Sequence, residues 1–137
     1  MNNLIKSIVA HEGFSPIAYP DPLSKGAPYT FGHGLTTITE SESIEIVKNR
    51  IVSINSQLST FYPPFSKLPE DVQEILIEMA YQLGVKGLLN FKNTLHCILN
   101  GDYIQASKNM MLSKWATQTP KRAKNLATKM ANVKVVI

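Results

Sequence analysis

The sequence predicts a mostly helical α+β fold with one small β-sheet near the N-terminus. Three observations predict it. Residues 3–12 carry Leu4, Ile5, Ile8 and Val9 at the spacing of one helical face. Residues 14–36 are rich in Pro, Gly, Ser, Thr and Tyr, and Pro16, Pro20, Pro22 and Pro28 forbid helix there. From Thr39 onward, helical periodicity returns and accounts for most of the remaining chain.

In the first element, Glu12 follows Ile8 by one helical turn and ends the apolar face, and Gly13 supplies the stop. A carboxylate at a helix C-terminus meets the negative end of the helix dipole, and partial burial would further disfavour its charged form. Both effects would favour a protonated acid near neutral pH. On position alone, a solvated surface glutamate is the alternative.

The next stretch suits a small irregular hairpin. Ala18-Tyr19 and Tyr29-Thr30-Phe31 are the strand candidates, with Gly26, Gly32 and Gly34 marking turns. Asp21 is held between two prolines, so its backbone is stiff. Taken alone it reads as a turn residue.

Thr39-Glu40-Ser41-Glu42 is a capping box that opens a helix carrying Ile44, Val47, Ile51, Ile54 and Leu58 on one stripe. Residues 59–67, with Pro63-Pro64, break it and mark the best lobe boundary. Pro69 suits a first helical position, and Glu70 and Asp71 favour the positive end of the next helix. That helix is apolar on more than one side after Ile75 and should be the central buried one, with Gly84 and Gly87 ending it. A short helix from Leu88 and another over 93–100 follow, the latter stopped by Gly101. Asp102 caps a helix expected to reach about Trp115, and Trp115 reads as a core anchor. Thr119-Pro120 opens the last helix as N-cap and first-turn proline.

The 137 residues fit one domain or two small lobes sharing a helix, and 44% hydrophobic content permits a core. The net charge of +4 suggests an anionic partner. No Asp or Glu follows Asp102, whereas Lys108, Lys114, Lys121, Arg122, Lys124, Lys129 and Lys134 do. This stretch is either a solvated face or a basic wall facing an anionic polymer. The single Cys97 excludes an intrachain disulfide, reads as a small buried residue and fits synthesis in a reducing compartment. The N-terminal apolar run is too short for a signal peptide, and no stretch approaches the ~20 residues of a membrane span.

His11, His33 and His96 share no ligand spacing, and neither HExxH nor CxxC occurs, so no metal or cofactor is expected. Phe31-Gly32-His33-Gly34 lacks the lysine of a phosphate-binding loop, and no nucleophile elbow supports a serine or cysteine triad. What remains is a pair of carboxylates in contrasting settings, the requirement of glycoside hydrolysis.

The segment Glu12-Gly13, Ala18-Tyr19, Asp21, Tyr29-Thr30-Phe31-Gly32 resembles the Glu–Asp–Thr signature of phage lysozymes (endolysins of glycoside hydrolase family 24, the T-even phage type). The resemblance runs through Met79-Ala80-Tyr81-Gln82-Leu83-Gly84, Phe91-Lys92-Asn93-Thr94-Leu95 and residues 115–124 with their QTP-x-RAK string. It implies an α+β lysozyme fold spanning 1–137 as a single domain. A β-containing lobe over 13–60 and a helical lobe of 68–137 plus 1–12 would have the substrate cleft between them. It implies an inverting muramidase acting on the β-1,4 bond between N-acetylmuramic acid and N-acetylglucosamine. Glu12 would be the general acid, with Asp21 and Thr30 activating water; a retaining course would need carboxyls about 5–5.5 Å apart rather than ~6.5–9.5 Å.

By the same resemblance Arg122 pairs with the catalytic glutamate. Leu35, Tyr81, Thr94 and Asn109 contact saccharide, with Gln82, Lys114 and Thr119 as further contacts. The implied partner is peptidoglycan, met by a monomer held in the host cytoplasm until holin-dependent release to the cell wall or periplasm. Nucleic-acid binding and stable membrane insertion are not expected. The Asp21-to-Thr30 spacing is longer than the family's, and Gly32-His33-Gly34-Leu35 stands where the family carries Gly-x-Gly-His. A lytic transglycosylase and a catalytically inactive wall-binding or phage structural module are the competing readings.

Overall fold

The computed structural model describes residues 3–20 and 29–135, with the backbone alone at 19 and 20. The chain divides into two compact units, Met1–Ile46 and Val47–Ile137, and the division falls inside a helix. The architecture is mostly helical with one two-stranded antiparallel sheet, the α+β class that the periodicities predict.

The first unit begins with α1 (Asn3–Glu12). Gly13 ends it by adopting φ +66°, a left-handed conformation that costs glycine little, and its N–H caps the Val9 carbonyl at 3.1 Å. Among the described residues no α1 side chain is buried, and the apolar stripe of Leu4, Ile5 and Ile8 is exposed.

Strands β1 (Ser15–Pro20) and β2 (Tyr29–Gly32) pair with Ser15 opposite Gly32, Tyr19 opposite Thr30 and Pro20 opposite Tyr29. The register slips between Ser15 and Tyr19, and Pro16, which has no N–H to give the ladder, falls in that irregular stretch. Past β2 the chain doubles back at once. Phe31 and Leu35 exchange both backbone hydrogen bonds, at 2.8 and 2.9 Å, around a turn with Gly32 and Gly34 at positive φ. Helix α2 (Glu40–Phe61) then starts from the expected capping box. The Glu42 N–H donates to Thr39 Oγ1 at 3.1 Å, and the Thr39 N–H donates to Glu42 Oε1 at 2.8 Å.

In the second unit, α2 continues past the expected break to Phe61, and a 3-10 turn, η1 (Pro63–Lys67), occupies the rest of it. Of the α2 stripe, Ile54 and Leu58 are buried, whereas Ile44 and Ile51 are exposed. Helix α3 (Glu70–Leu83) is the buried centre, with Val72, Ile75, Leu76, Met79 and Ala80 inside. Pro69 sits at its N-cap rather than in its first turn. Gly84, at φ +79°, ends α3 and at once begins α4 (Val85–Leu89), so Gly87 lies within a helix instead of stopping one.

Helix α5 (Lys92–Leu99) leads through Gly101 to α6 (Tyr103–Met111), whose N-cap Asp102 accepts the Gln105 N–H at 3.1 Å as expected. Helix α6 does not reach Trp115. Ser113 ends it by donating its hydroxyl to the Met110 carbonyl at 2.6 Å, and caps α7 (Lys114–Gln118) by accepting the Ala116 N–H at 3.2 Å.

Helix α8 (Pro120–Ala131) begins at Thr119 with proline in the first turn, but the Thr119 hydroxyl donates back to the Trp115 carbonyl at 3.0 Å instead of capping. Buried Ala106, Ala123 and Ala127 keep side-chain bulk small where α6 and α8 pack, and Ser107 Oγ donates to the Ala127 carbonyl at 2.6 Å. Phe65, Leu58, Leu76, Met79, Leu88, Ile98, Met110, Met130 and Val72 are the largest fully buried side chains of this core. Burial of each such side chain contributes about 1.5–3 kcal/mol. Among the described residues no helix is long and apolar enough to cross a membrane.

Candidate active site

The first unit carries the expected acid. Glu12 is the last residue of α1 and is solvent-exposed, the surface setting that stood as the alternative to a partly buried acid. Its position is set by the chain around it. Gly13 turns the backbone away, and the Gly13 carbonyl accepts a hydrogen bond from His33 Nδ1 at 2.8 Å. Because a carbonyl only accepts, that nitrogen carries the proton. The His33 ring also meets Phe14, with centroids 5.3 Å apart and planes inclined by 47°.

These contacts bring the Phe31–Leu35 turn to α1, and the Glu12 carboxylate lies against the Gly34 backbone where a side chain would otherwise stand. Thr30, the expected water-holding hydroxyl, is buried on β2 at 8% exposure in the same unit. Leu35 is exposed, and its Cδ1 packs over Gly32. Asp21 lies outside the described residues.

The other expected residues belong to the second unit and fall into two groups. Thr94, Asn109 and Lys114 line one cavity of about 490 Å³, together with Phe91, Trp115 and Gln118. Trp115 is 3% exposed and stands edge-on to Phe91 at 6.1 Å, so the core anchor is also a wall of the cavity. Gln82 and Thr119 reach this cavity through Trp115. The indole N–H donates to Gln82 Oε1 at 2.9 Å, and the Thr119 hydroxyl holds the Trp115 carbonyl. Asn109 and Lys114 are the more accessible of the expected groups, an amide and an ammonium able to bond a polar ligand, whereas Thr94 and Trp115 are each 3% exposed.

Tyr81 and Arg122 line a second cavity of about 580 Å³, more apolar, with Val47, Ile51, Ile77 and Glu78. Arg122 Nε donates to Glu78 Oε2 at 2.8 Å, and both side chains are about half-exposed. Phe91 and Gln118 lie in the motifs that carry the resemblance but have no expected role in the site, and Glu78 lies in neither a motif nor the expected site. Glu78 and Arg122 are far apart in the chain, so no local pattern pairs them.

No family model matches the chain. Part of the chain is similar to two curated proteins. The chain is 33% identical over 87 residues to probable T4-type lysozyme 2 of Dictyostelium discoideum, which covers 62% of this chain and 51% of that protein. It is 33% identical over 92 residues to probable T4-type lysozyme 1 of the same organism, covering 63% of this chain and 52% of that protein. The chain therefore spans about half the length of the curated relatives it matches. The mostly helical α+β architecture agrees with a lysozyme-like fold.

Proposed function

We propose that this chain is a muramidase that hydrolyses the β-1,4 bond between N-acetylmuramic acid and N-acetylglucosamine in peptidoglycan, with inversion. The observation that carries this reading is the seating of the Glu12 carboxylate. It rests at the end of α1 against the Gly34 turn, in the unit whose β2 carries the buried Thr30. The similarity to T4-type lysozymes supports it. In the proposed step Glu12 gives its proton to the glycosidic oxygen as the C–O bond breaks. Asp21 takes a proton from a water positioned with Thr30 as the new C–O bond forms at the anomeric carbon. Thr94, Asn109 and Lys114 contact the glycan, while Gln82 and Thr119 act through Trp115. Leu35, Tyr81 and Arg122 complete the proposed set, and the bacterial cell wall is the proposed place of action.

The test is loss of turbidity of a peptidoglycan suspension. Wild type should clear it, and Glu12→Gln should be slower by at least about a hundredfold, the scale of a lost general acid. Equal clearance by the two proteins overturns the assignment. Products ending in 1,6-anhydro sugars would identify a transglycosylase instead.

A further inference from the structure

The cavity walled by Phe91 and Trp115 holds one amide that the protein itself restrains at both ends. Asn109 lines the cavity near the end of α6 and is half-buried. Its Oδ1 accepts from Gln105 Nε2, one turn earlier on α6, at 3.2 Å. Its Nδ2 donates to Cys97 Sγ, across on α5, at 3.4 Å. An amide side chain offers two N–H groups and two carbonyl lone pairs. Among the described residues one of each is used here, which leaves one of each for a ligand.

We infer that Gln105 and Cys97 are positioning residues that decide which edge of the Asn109 amide the cavity presents to an N-acetylated saccharide. This rests on the muramidase reading, which supplies the saccharide. An N-acetyl group carries one N–H donor and one C=O acceptor in fixed relation, so it distinguishes an asparagine from the same asparagine turned over. Neither Gln105 nor Cys97 lines the cavity, and both act only through Asn109. Rotation of the Asn109 amide by half a turn would require Gln105 to turn its own amide over and the Cys97 thiol to donate instead of accept, so the three groups change orientation together.

The chemistry of position 105 provides the test. Gln105→Lys still donates and should keep the amide as it is. Gln105→Glu can only accept, so it should turn the Asn109 NH₂ toward itself and the carbonyl toward the Cys97 thiol. Cys97→Ser keeps a group that accepts, whereas Cys97→Ala does not. The neutral trimer of β-1,4-linked N-acetylglucosamine is the probe, because its binding is little affected by the charge introduced at 105. Trp115, the chain's single tryptophan, lines the cavity and reports occupancy by fluorescence.

Gln105→Glu and Cys97→Ala should weaken trimer binding about three- to tenfold, the scale of one misplaced hydrogen bond. Gln105→Lys and Cys97→Ser should bind about as wild type does. In wall clearance the first pair should raise KM and hold kcat. If all four variants bind as wild type, or if affinity simply follows melting temperature across them, the inference is overturned while clearance by wild type keeps the muramidase reading. A wild type that binds the trimer but clears no wall overturns the muramidase reading and leaves the orientation to be judged by the four variants' affinities. A wild type that does neither overturns both.

Discussion

Gly34 lies so close to Glu12 that a β-carbon at position 34 would overlap the Glu12 carboxylate. Its φ of +74° is also a conformation that side chains disfavour. Gly34→Ala therefore meets two obstacles at one site. The backbone conformation alone should cost about 1–2 kcal/mol, and relief of the overlap must move the proposed acid. We expect wall clearance to fall well beyond what the stability loss explains, measured by turbidity alongside a denaturant melt of the same preparation.

His33 holds the other side of this arrangement through its bond to the Gly13 carbonyl. His33→Ala should cost about 0.5–1.5 kcal/mol, the net value of one such hydrogen bond. It should also lower clearance, because the turn bearing Gly34 loses its tie to the end of α1. Unchanged clearance in this variant would show that the tie does not position Glu12.

The start of α2 should respond to acid. The Thr39 backbone N–H and hydroxyl hold the Glu42 carboxyl below its ordinary value of 4.5, with the backbone bond the larger cause. A lowered folded-state value means that the unfolded chain binds the proton more readily, so falling pH favours unfolding. The stabilisation is complete above the ordinary value and is lost as pH falls through the lowered folded one. Amide exchange should show it directly. Protection of the Glu42 and Ser43 N–H groups should decline through that window in wild type, and a Glu42→Ala variant should lack the transition.

Leu76 is fully buried at the centre of α3. Leu76→Ala should destabilise the second unit by about 2–5 kcal/mol through lost burial and the cavity left behind. Chemical denaturation followed by Trp115 fluorescence measures this, because Trp115 belongs to the same core cluster.

What could be read in the sequence was local. The capping box at Thr39, the strand residues around Thr30 and the buried periodicity of α3 each depend on neighbours within a few positions. Ser113 escaped because apolar residues continue on either side of it, at Leu112 and Trp115, and periodicity alone extends the helix through the cap. Gly87 misled for the opposite reason, since glycine marks a stop by habit but tolerates a helix interior at a cost of about 1 kcal/mol.

The site divides along the same line. Glu12 and Thr30 were named from a motif whose parts lie close together in the chain. The Arg122–Glu78 pair and the restraint of Asn109 by Cys97 join residues on different helices, which no spacing rule connects. The exposure of Glu12 also depends on how the hairpin folds beside α1, which the glutamate's place at a helix end does not determine.

The corner at Ser113 carries a consequence for recognition. Around an unbroken helix, at about 100° per residue, Asn109 and Lys114 would point about 140° apart. The stop between α6 and α7 brings both onto one cavity wall. The pairing of an amide with a cation at that wall is thus a matter of chain punctuation rather than helical phase. One residue gained or lost at this corner would turn Lys114 by about 100° and give the cavity a different chemical vocabulary.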